Sequence, residues 1–337
     1  MGKTNYFIGV DISSDYFTIS IISNPKNIMV QGIEFSNDLT GFKKFQKTLL
    51  KQSIKNDNSI ICMECTGVYS EKICYYLFNH GFSVVSEQPL KVKRAFSINE
   101  HKTDSVDSLQ IAEYIFRFID KVKIWQPRED LLEKINTILN TRDLFVEQKV
   151  ATQNHLGAIS KKEIIAKQSV RVLRKSIRKL KKSIDVLETE MIDLINSNQE
   201  LKNKFNILKS GPGVGLFLAL RLLVKTNGFT MDVNYKHLAS NIGICPFRNQ
   251  SGTSINKKSK SKGVGDEAIR KLLHLASWSV IEHKKKFRHY YQRKIEEGKP
   301  KRLVLNNVAN KLLKILFAMI RDSVEYIPTY RSVNPNY

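Results

Sequence analysis

The residues best suited to chemistry are acids. Asp104 and Asp107 stand three apart in Lys102-Thr103-Asp104-Ser105-Val106-Asp107, ahead of the apolar-periodic run Leu109, Ile111, Ala112, Ile115 and Phe116. Asp104 is expected to open a helix, and at 3.6 residues per turn positions i and i+3 share a face. Two carboxylates about 4 Å apart repel by roughly 4 kcal/mol at an effective dielectric near 20. Either one stays protonated or a cation sits between them. The alternative is an Asp N-cap with a second acid favoured in the first turn by the helix dipole.

Two further acids end apolar runs, Tyr6 to Asp11 and Ser59 to Glu64, and both runs read as buried strands. Tyr6–Asp11, Phe17–Ile22 and Ile28–Phe35 form an antiparallel meander with a turn at Asn24-Pro25-Lys26-Asn27. Then come a helix from Leu39 to Leu50, the strand ending at Glu64, a helix from Tyr69 to Asn79, a short strand from Phe82 to Val85, and helices from Pro89 onward. This is the element order of an α/β, RNase H-like (RuvC-like) sheet, in which strand-end acids converge at one rim. Asp11, Glu64, Asp104 and Asp107 are therefore the expected ligands of Mg²⁺, two ions with Mn²⁺ as a substitute, since hard cations take oxygen ligands. A pair of such ions polarises a phosphodiester and activates a nucleophile. Each acid taken alone also has a plain reading as a turn or cap residue.

The rest of the chain is built to hold a polyanion. The 337 residues carry a formal charge of +23. Residues 1–127 hold 15 Lys/Arg and 13 Asp/Glu, whereas residues 128–337 hold 40 and 19. A near-neutral head on a strongly basic body fits a catalytic domain joined to a nucleic-acid-gripping one. From Pro127 to Pro212 no proline intervenes and Gly157 is the only glycine before Gly211, so a long helical hairpin or coiled coil is expected, breaking near Gly157 or just after it. Leu131, Ile135, Ile138 and Leu144-Phe145 stripe one arm, and Ile177, Leu180, Ile184, Leu187, Met191 and Leu194 stripe the other. Residues 161–182 hold ten Lys/Arg and one acid, with Arg171, Arg174, Lys175, Arg178 and Lys182 on one side of a helix. We read that side as a nucleic-acid contact rather than a solvated face.

Gly211-Pro212-Gly213-Val214-Gly215 precedes the apolar helix Leu216–Val224 and is similar to the hairpin of helix-hairpin-helix modules. Backbone N–H groups of Gly211, Gly213 and Gly215 would meet phosphate there, unless this is a plain glycine-rich turn. Residues 245–265 are polar and rich in Gly, Ser and Lys, which predicts an exposed functional loop. Ser251 stands in it among Arg248, Lys257, Lys258, Lys260 and Lys262. A mostly α C-terminal domain closes on an amphipathic helix from Leu303 to Ile320. The expected domains are 1–127, 128–200, 201–327 and a loosely ordered tail, 328–337. Cys62-x-x-Cys65 has no second pair and sits in a strand-like run, which argues against zinc or redox chemistry. No run of 18 apolar residues and no signal-peptide pattern occurs, so no membrane partner is expected.

In their order these pieces resemble the transposases of the insertion sequence 110 family, relatives of the Piv-type DNA invertases. The matching stretches are Gly9-Val10-Asp11, Met63-Glu64-Cys65-Thr66-Gly67-Val68-Tyr69, Lys102-Thr103-Asp104-Ser105-Val106-Asp107, Gly211-Pro212-Gly213-Val214-Gly215, Gln250-Ser251-Gly252-Thr253-Ser254 and Ser261-Lys262-Gly263. Cys65, Ser108 and Ile244-Cys245-Pro246 depart from the family pattern. The resemblance implies a RuvC-like domain with the set Asp11, Glu64, Asp104 and Asp107. It also implies a C-terminal transposase domain whose serine nucleophile corresponds to Ser251, with Ser254 as the fallback. It further implies donor and target DNA paired through a structured guide RNA, and a homo-oligomer, dimer or tetramer. A prokaryotic, cytoplasmic and nucleoid-associated enzyme of DNA transposition and recombination is thus expected. The competing readings are a metal-only nuclease of the Holliday-junction resolvase kind and a non-catalytic nucleic-acid-binding protein.

Overall fold

The computed structural model describes residues 4–65, 67–96, 103–230, 234–245, 247–251, 255–260 and 265–329; for 247–251 and 255–260 it describes the backbone alone. The expected tail beyond residue 329 lies outside the described residues. The chain forms two compact units, Met1–Pro127 and Arg128–Tyr337.

The first unit is a mixed sheet clad by helices on both faces. Strands β1 (Tyr6–Ile12), β2 (Tyr16–Ser23) and β3 (Asn27–Ser36) are followed by α1 (Leu39–Lys51) and β4 (Ser59–Glu64). A 3-10 turn (Gly67–Ser70), α2 (Glu71–Asn79), β5 (Ser83–Glu87), α3 (Pro89–Ala95) and α4 (Asp104–Phe118) complete it. The sheet order is β3-β2-β1-β4-β5; β1 to β3 are antiparallel, and β4 and β5 run parallel to β1 and to each other. Side chains alternate across a strand. Ile8, Val10, Ile61 and Met63 pack on one face with Phe42, Phe45 and Leu49 of α1 and Ile73 and Leu77 of α2. Phe7, Ile60, Cys62 and Val85 pack on the other with Val92 of α3 and Ile111, Ala112 and Ile115 of α4. The strand expected at Phe82–Val85 runs instead to Glu87, which adds a third strand-end acid.

Asp104 opens α4 as expected, and the competing reading of Asp104 as the cap does not hold. Thr103, not Asp104, caps α4, its Oγ1 accepting from the Val106 N–H at 3.3 Å. A β-branched hydroxyl in extended backbone does this job well, which leaves both aspartates inside the first turns without a capping duty.

In the second unit, α5 (Asp130–Ile159) and α6 (Lys167–Asn196) are antiparallel 30-residue helices joined at residues 160–166. Arg142 Nε donates to Glu188 Oε1 at 2.9 Å, while near the hairpin end Gly157 and Ser160 share a groove with Arg174 and Arg178. Ile184, Met191 and Ile195 are buried at heptad-like spacing on α6, with Leu187 and Leu194 packed against them. On α5, Leu132, Ile135, Ile138 and Leu139 are buried, whereas Leu144, expected in the stripe, is exposed. The base of the hairpin shares one core with α7 (Gln199–Ser210), α8 (Leu216–Lys225), α9 (Tyr235–Ile242), α10 (Glu267–His283) and α12 (Lys301–Arg321). α11 (Lys285–Glu296) packs Phe287 into a satellite cluster with Val280 and Leu305. By length and composition α12 is apolar enough to cross a membrane; here Val304, Val308, Leu312, Leu313 and Leu316 are buried core residues of the second unit.

The polar loop expected at 245–265 contains a β-hairpin instead, β6 (Phe247–Ser251) paired antiparallel with β7 (Ile255–Lys260). Its lysines and asparagines are poor strand formers by composition, and the cross-strand ladder supplies what propensity does not.

Candidate active site

α4 reaches the acids because β1 makes room for it. A Cβ on Gly9 would stand 2.1 Å from the Ser108 carbonyl oxygen and 2.2 Å from the Ala112 nitrogen. The hydroxyls of Ser20 on β2 and Ser108 on α4 lie 2.8 Å apart, both buried, and fix the register of helix on sheet. The helix therefore crosses β1 with its first turns toward the end of the strand that carries Asp11.

Val10 of β1 pairs with Met63 of β4, so Asp11 and Glu64 stand one step further along neighbouring parallel strands. Val10 and Met63 belong to the core on the α1/α2 face, which puts Asp11 and Glu64 on the face that α4 covers. Both are half-buried. Glu64 in turn pairs with Glu87 of β5. Sequence reasoning missed Glu87, although Val84-Val85-Ser86-Glu87 is the same pattern of an acid closing a buried strand as Cys62-Met63-Glu64.

Glu87 is buried, and its carboxylate accepts from the Tyr114 hydroxyl at 3.1 Å and from the Gln88 N–H at 2.9 Å, with Lys91 Nζ 3.0 Å away. Burial first, then the charge and hydrogen bond of Glu87, push the Tyr114 phenol up to about 12. Burial also pushes the Cys62 thiol up, and the Glu87 and Glu64 charges add to it. Cys62 is thus an inert core thiol, and Cys65 is exposed.

Asp104 is held from the sheet side. Tyr16, the first residue of β2, donates its hydroxyl to Asp104 Oδ2 at 3.1 Å, and the hydrogen bond and charge of Asp104 raise the Tyr16 pKa. Asp104 is exposed and Asp107, one turn on, is half-buried. Among the described residues no three His, Cys, Asp or Glu side chains stand close enough to hold a metal ion together. What the fold brings together is the strand-end pair Asp11 and Glu64 and the aspartate turn of the helix laid on the same face.

In the second unit, Ser251 is the last residue of β6, opposite Ile255 in the hairpin. Arg248, Lys257, Lys258 and Lys260 lie on the same two strands, but their side chains fall outside the described residues, as do Ser254 and Lys262 altogether. Arg171, Arg174, Lys175, Arg178 and Lys182 are all exposed on α6, with Arg174 and Arg178 bordering the groove against α5. Packing accounts for two of the three turn glycines. A Cβ on Gly211 would stand 2.5 Å from Leu316 Cδ2, and on Gly213 (φ +73°) 2.7 Å from the Ala276 carbonyl oxygen. Gly215, with open space around it, heads α8. Arg221, in the middle of that apolar helix, is paired with Asp143 of α5 at 2.6 Å.

A family model described as "Transposase", the DEDD transposase of IS110, matches residues 8–161, and one described as "Transposase IS116/IS110/IS902 family" matches residues 205–292. The chain is 28% identical over 327 residues to the "Pilin gene-inverting protein" of Moraxella bovis, covering 96% of this chain and 97% of that protein. The protein of the same name in Moraxella lacunata is likewise 28% identical over 327 residues. Over 132 residues it is 33% identical to the "Insertion element IS110 uncharacterized 43.6 kDa protein" of Streptomyces coelicolor, covering 39% of this chain and 32% of that one. With the strand-end acids and the aspartate helix of the first unit in place, these matches show that the chain belongs to the IS110 family of DNA transposases and recombinases.

Proposed function

We propose that this enzyme cuts and rejoins the DNA strands of a mobile element through acids that share one face of the first unit's sheet and a serine on the second unit. The observation that carries the reading is the placement of Asp11 and Glu64 at adjoining ends of parallel strands, on the face where α4 presents Asp104 and Asp107. The order β3-β2-β1-β4-β5 with helices on both faces supports an RNase H-like (RuvC-like) fold for this unit. Carboxylate oxygens are the donor set Mg²⁺ prefers, and Asp11, Glu64, Asp104 and Asp107 would hold it. When bound it supplies charge neutralisation at the scissile phosphate and lowers the pKa of an attacking hydroxyl. Tyr16 donates to one carboxylate oxygen of Asp104, Oδ2, so its hydroxyl bears on how Asp104 would take that role.

Ser251 is the nucleophile in this reading. Its Oγ forms a bond to phosphorus as the P–O3′ bond breaks, giving a phosphoserine and a 3′-hydroxyl, with the serine proton taken up by solvent or a carboxylate and an equivalent proton given by solvent to the leaving 3′-oxygen. A hydroxyl is a weak nucleophile at neutral pH, so the step needs that activation. The 3′-hydroxyl of the partner strand then attacks a second phosphoserine, and the serine leaves with a proton. The exposed cations of α6 and the α7–turn–α8 hairpin, read as a helix-hairpin-helix-like element, grip the phosphate backbone. Family likeness supports a structured guide RNA, a dimer or tetramer in which one copy's serine meets another's acids, and action on the chromosome in a prokaryotic cytoplasm. The reading is tested by Asp11→Asn and Glu64→Gln. Each is expected to abolish strand cleavage and to remove the rise in melting temperature that Mg²⁺ produces. Cleavage by both variants at the parent rate would remove these acids from the chemistry and overturn the reading.

A further inference from the structure

Trp278 lies 44% exposed on α10, with Leu275, one turn before it, 57% exposed. Lys271, Leu275 and Trp278 follow one another at i, i+4 and i+7 and share a face of the helix. Behind Trp278 the Tyr291 ring of α11 stands 5.8 Å away, tilted by 55°. Burying an aromatic surface of this size is worth several-fold in any equilibrium, so leaving it in water calls for an occupant. The surroundings say which. Residues 267–302 carry eleven Lys/Arg against four Glu. A second copy of the chain would bring the same positive segment and be repelled, whereas a polyanion with flat apolar faces fits both features. Duplex bases are already stacked on each other; unpaired bases are not.

We propose that Trp278, backed by Tyr291 and with Lys271 on the same face, is a stacking platform for unpaired bases of a DNA strand. The platform rests on the DNA-handling reading above and gives it a place for melted bases. The strip of α10 runs back toward Glu267, and residues 261–266 connect that end to the β6–β7 hairpin that carries Ser251. A strand stacked on Trp278 is therefore held by the segment that follows the serine hairpin.

The chain has two tryptophans, and Trp125 packs in the first unit against Tyr75 and Phe78. Trp125→Phe thus leaves Trp278 as the sole tryptophan reporter. Titration of this variant with a dT 12-mer is expected to quench the emission, while a duplex of equal length binds without quenching. Trp278→Ala is expected to weaken dT binding roughly tenfold, with duplex binding unchanged and with Trp278→Phe restoring most of the loss. Unchanged Trp278 emission at saturating dT overturns the platform while leaving DNA binding intact. Quenching by an rU 12-mer but not by dT overturns the choice of DNA, and a Trp278→Ala protein whose mass by light scattering differs from the parent's assigns the face to a protein contact instead. A protein that binds no DNA in any arm overturns this inference and the proposed function together.

Discussion

Gly9 lies directly beneath Ser108: any Cβ at position 9 would stand 2.1 Å from that residue's carbonyl oxygen. The contact is backbone on backbone, so neither side can turn aside. Gly9→Ala must push α4 off the sheet, and with it Asp104 and Asp107. Overpacking of this kind costs about 1–3 kcal/mol. A lower melting temperature together with strongly reduced strand cleavage is expected. Parent-level cleavage by a Gly9→Ala protein would mean that the position of α4 over β1 does not matter to the chemistry.

Tyr16 and the proposed cation would draw on the same Asp104 carboxylate. The contact is exposed, so Tyr16→Phe should leave the melting temperature close to the parent's. If the two compete, cleavage by Tyr16→Phe should reach half its maximum at a Mg²⁺ concentration roughly twofold lower or more. A Mg²⁺ requirement that rises instead would make Tyr16 a support for Asp104 rather than its competitor.

Tyr114 gives the first unit a pH limit. Its folded pKa is raised to about 12, by burial first and then by Glu87. A group raised on folding contributes fully below its unfolded value near 10 and loses that contribution as pH climbs toward the folded value. Stability should thus fall between about pH 10 and 12, and Tyr114→Phe should fall less over that window. Identical pH profiles for the two proteins would remove Tyr114 from the alkaline transition.

The α6 cations can be tested without touching a core residue. Arg171, Arg174, Lys175, Arg178 and Lys182 are exposed, so replacing all five by Gln should leave the fold intact. If each neutralises one phosphate, the slope of log affinity against log salt on duplex DNA should become shallower by about 0.9 for every phosphate no longer neutralised. An unchanged slope would return this face to the solvent.

The strand-end acids were legible from sequence because an apolar run closing on a carboxylate leaves few other readings. Asp11 and Glu64 emerge on the expected sheet, and the apolar heptads of α6 gave the hairpin its second arm. What periodicity could not show was where backbones touch. Thr103 took the cap from Asp104, and Glu87 joined the acidic edge because β5 runs two residues longer than its apolar core. The β6–β7 hairpin was hidden by its composition: Asn256, Lys257, Lys258 and Lys260 read as loop residues, and only pairing with β6 makes them a strand. Tyr16 and Trp278 gave no signal, since an exposed aromatic is visible as such only once its helix or strand has a buried side.

The central claim is that Ser251 joins covalently to DNA. Incubating the enzyme with Mg²⁺ and a labelled DNA substrate, denaturing, and mapping the peptide that retains a nucleotide by mass spectrometry tests it directly. A phosphodiester on Ser251 is predicted, absent from Ser251→Ala and from Asp11→Asn. Cleaved DNA with no protein attached, made equally well by Ser251→Ala, would contradict it and make water the nucleophile.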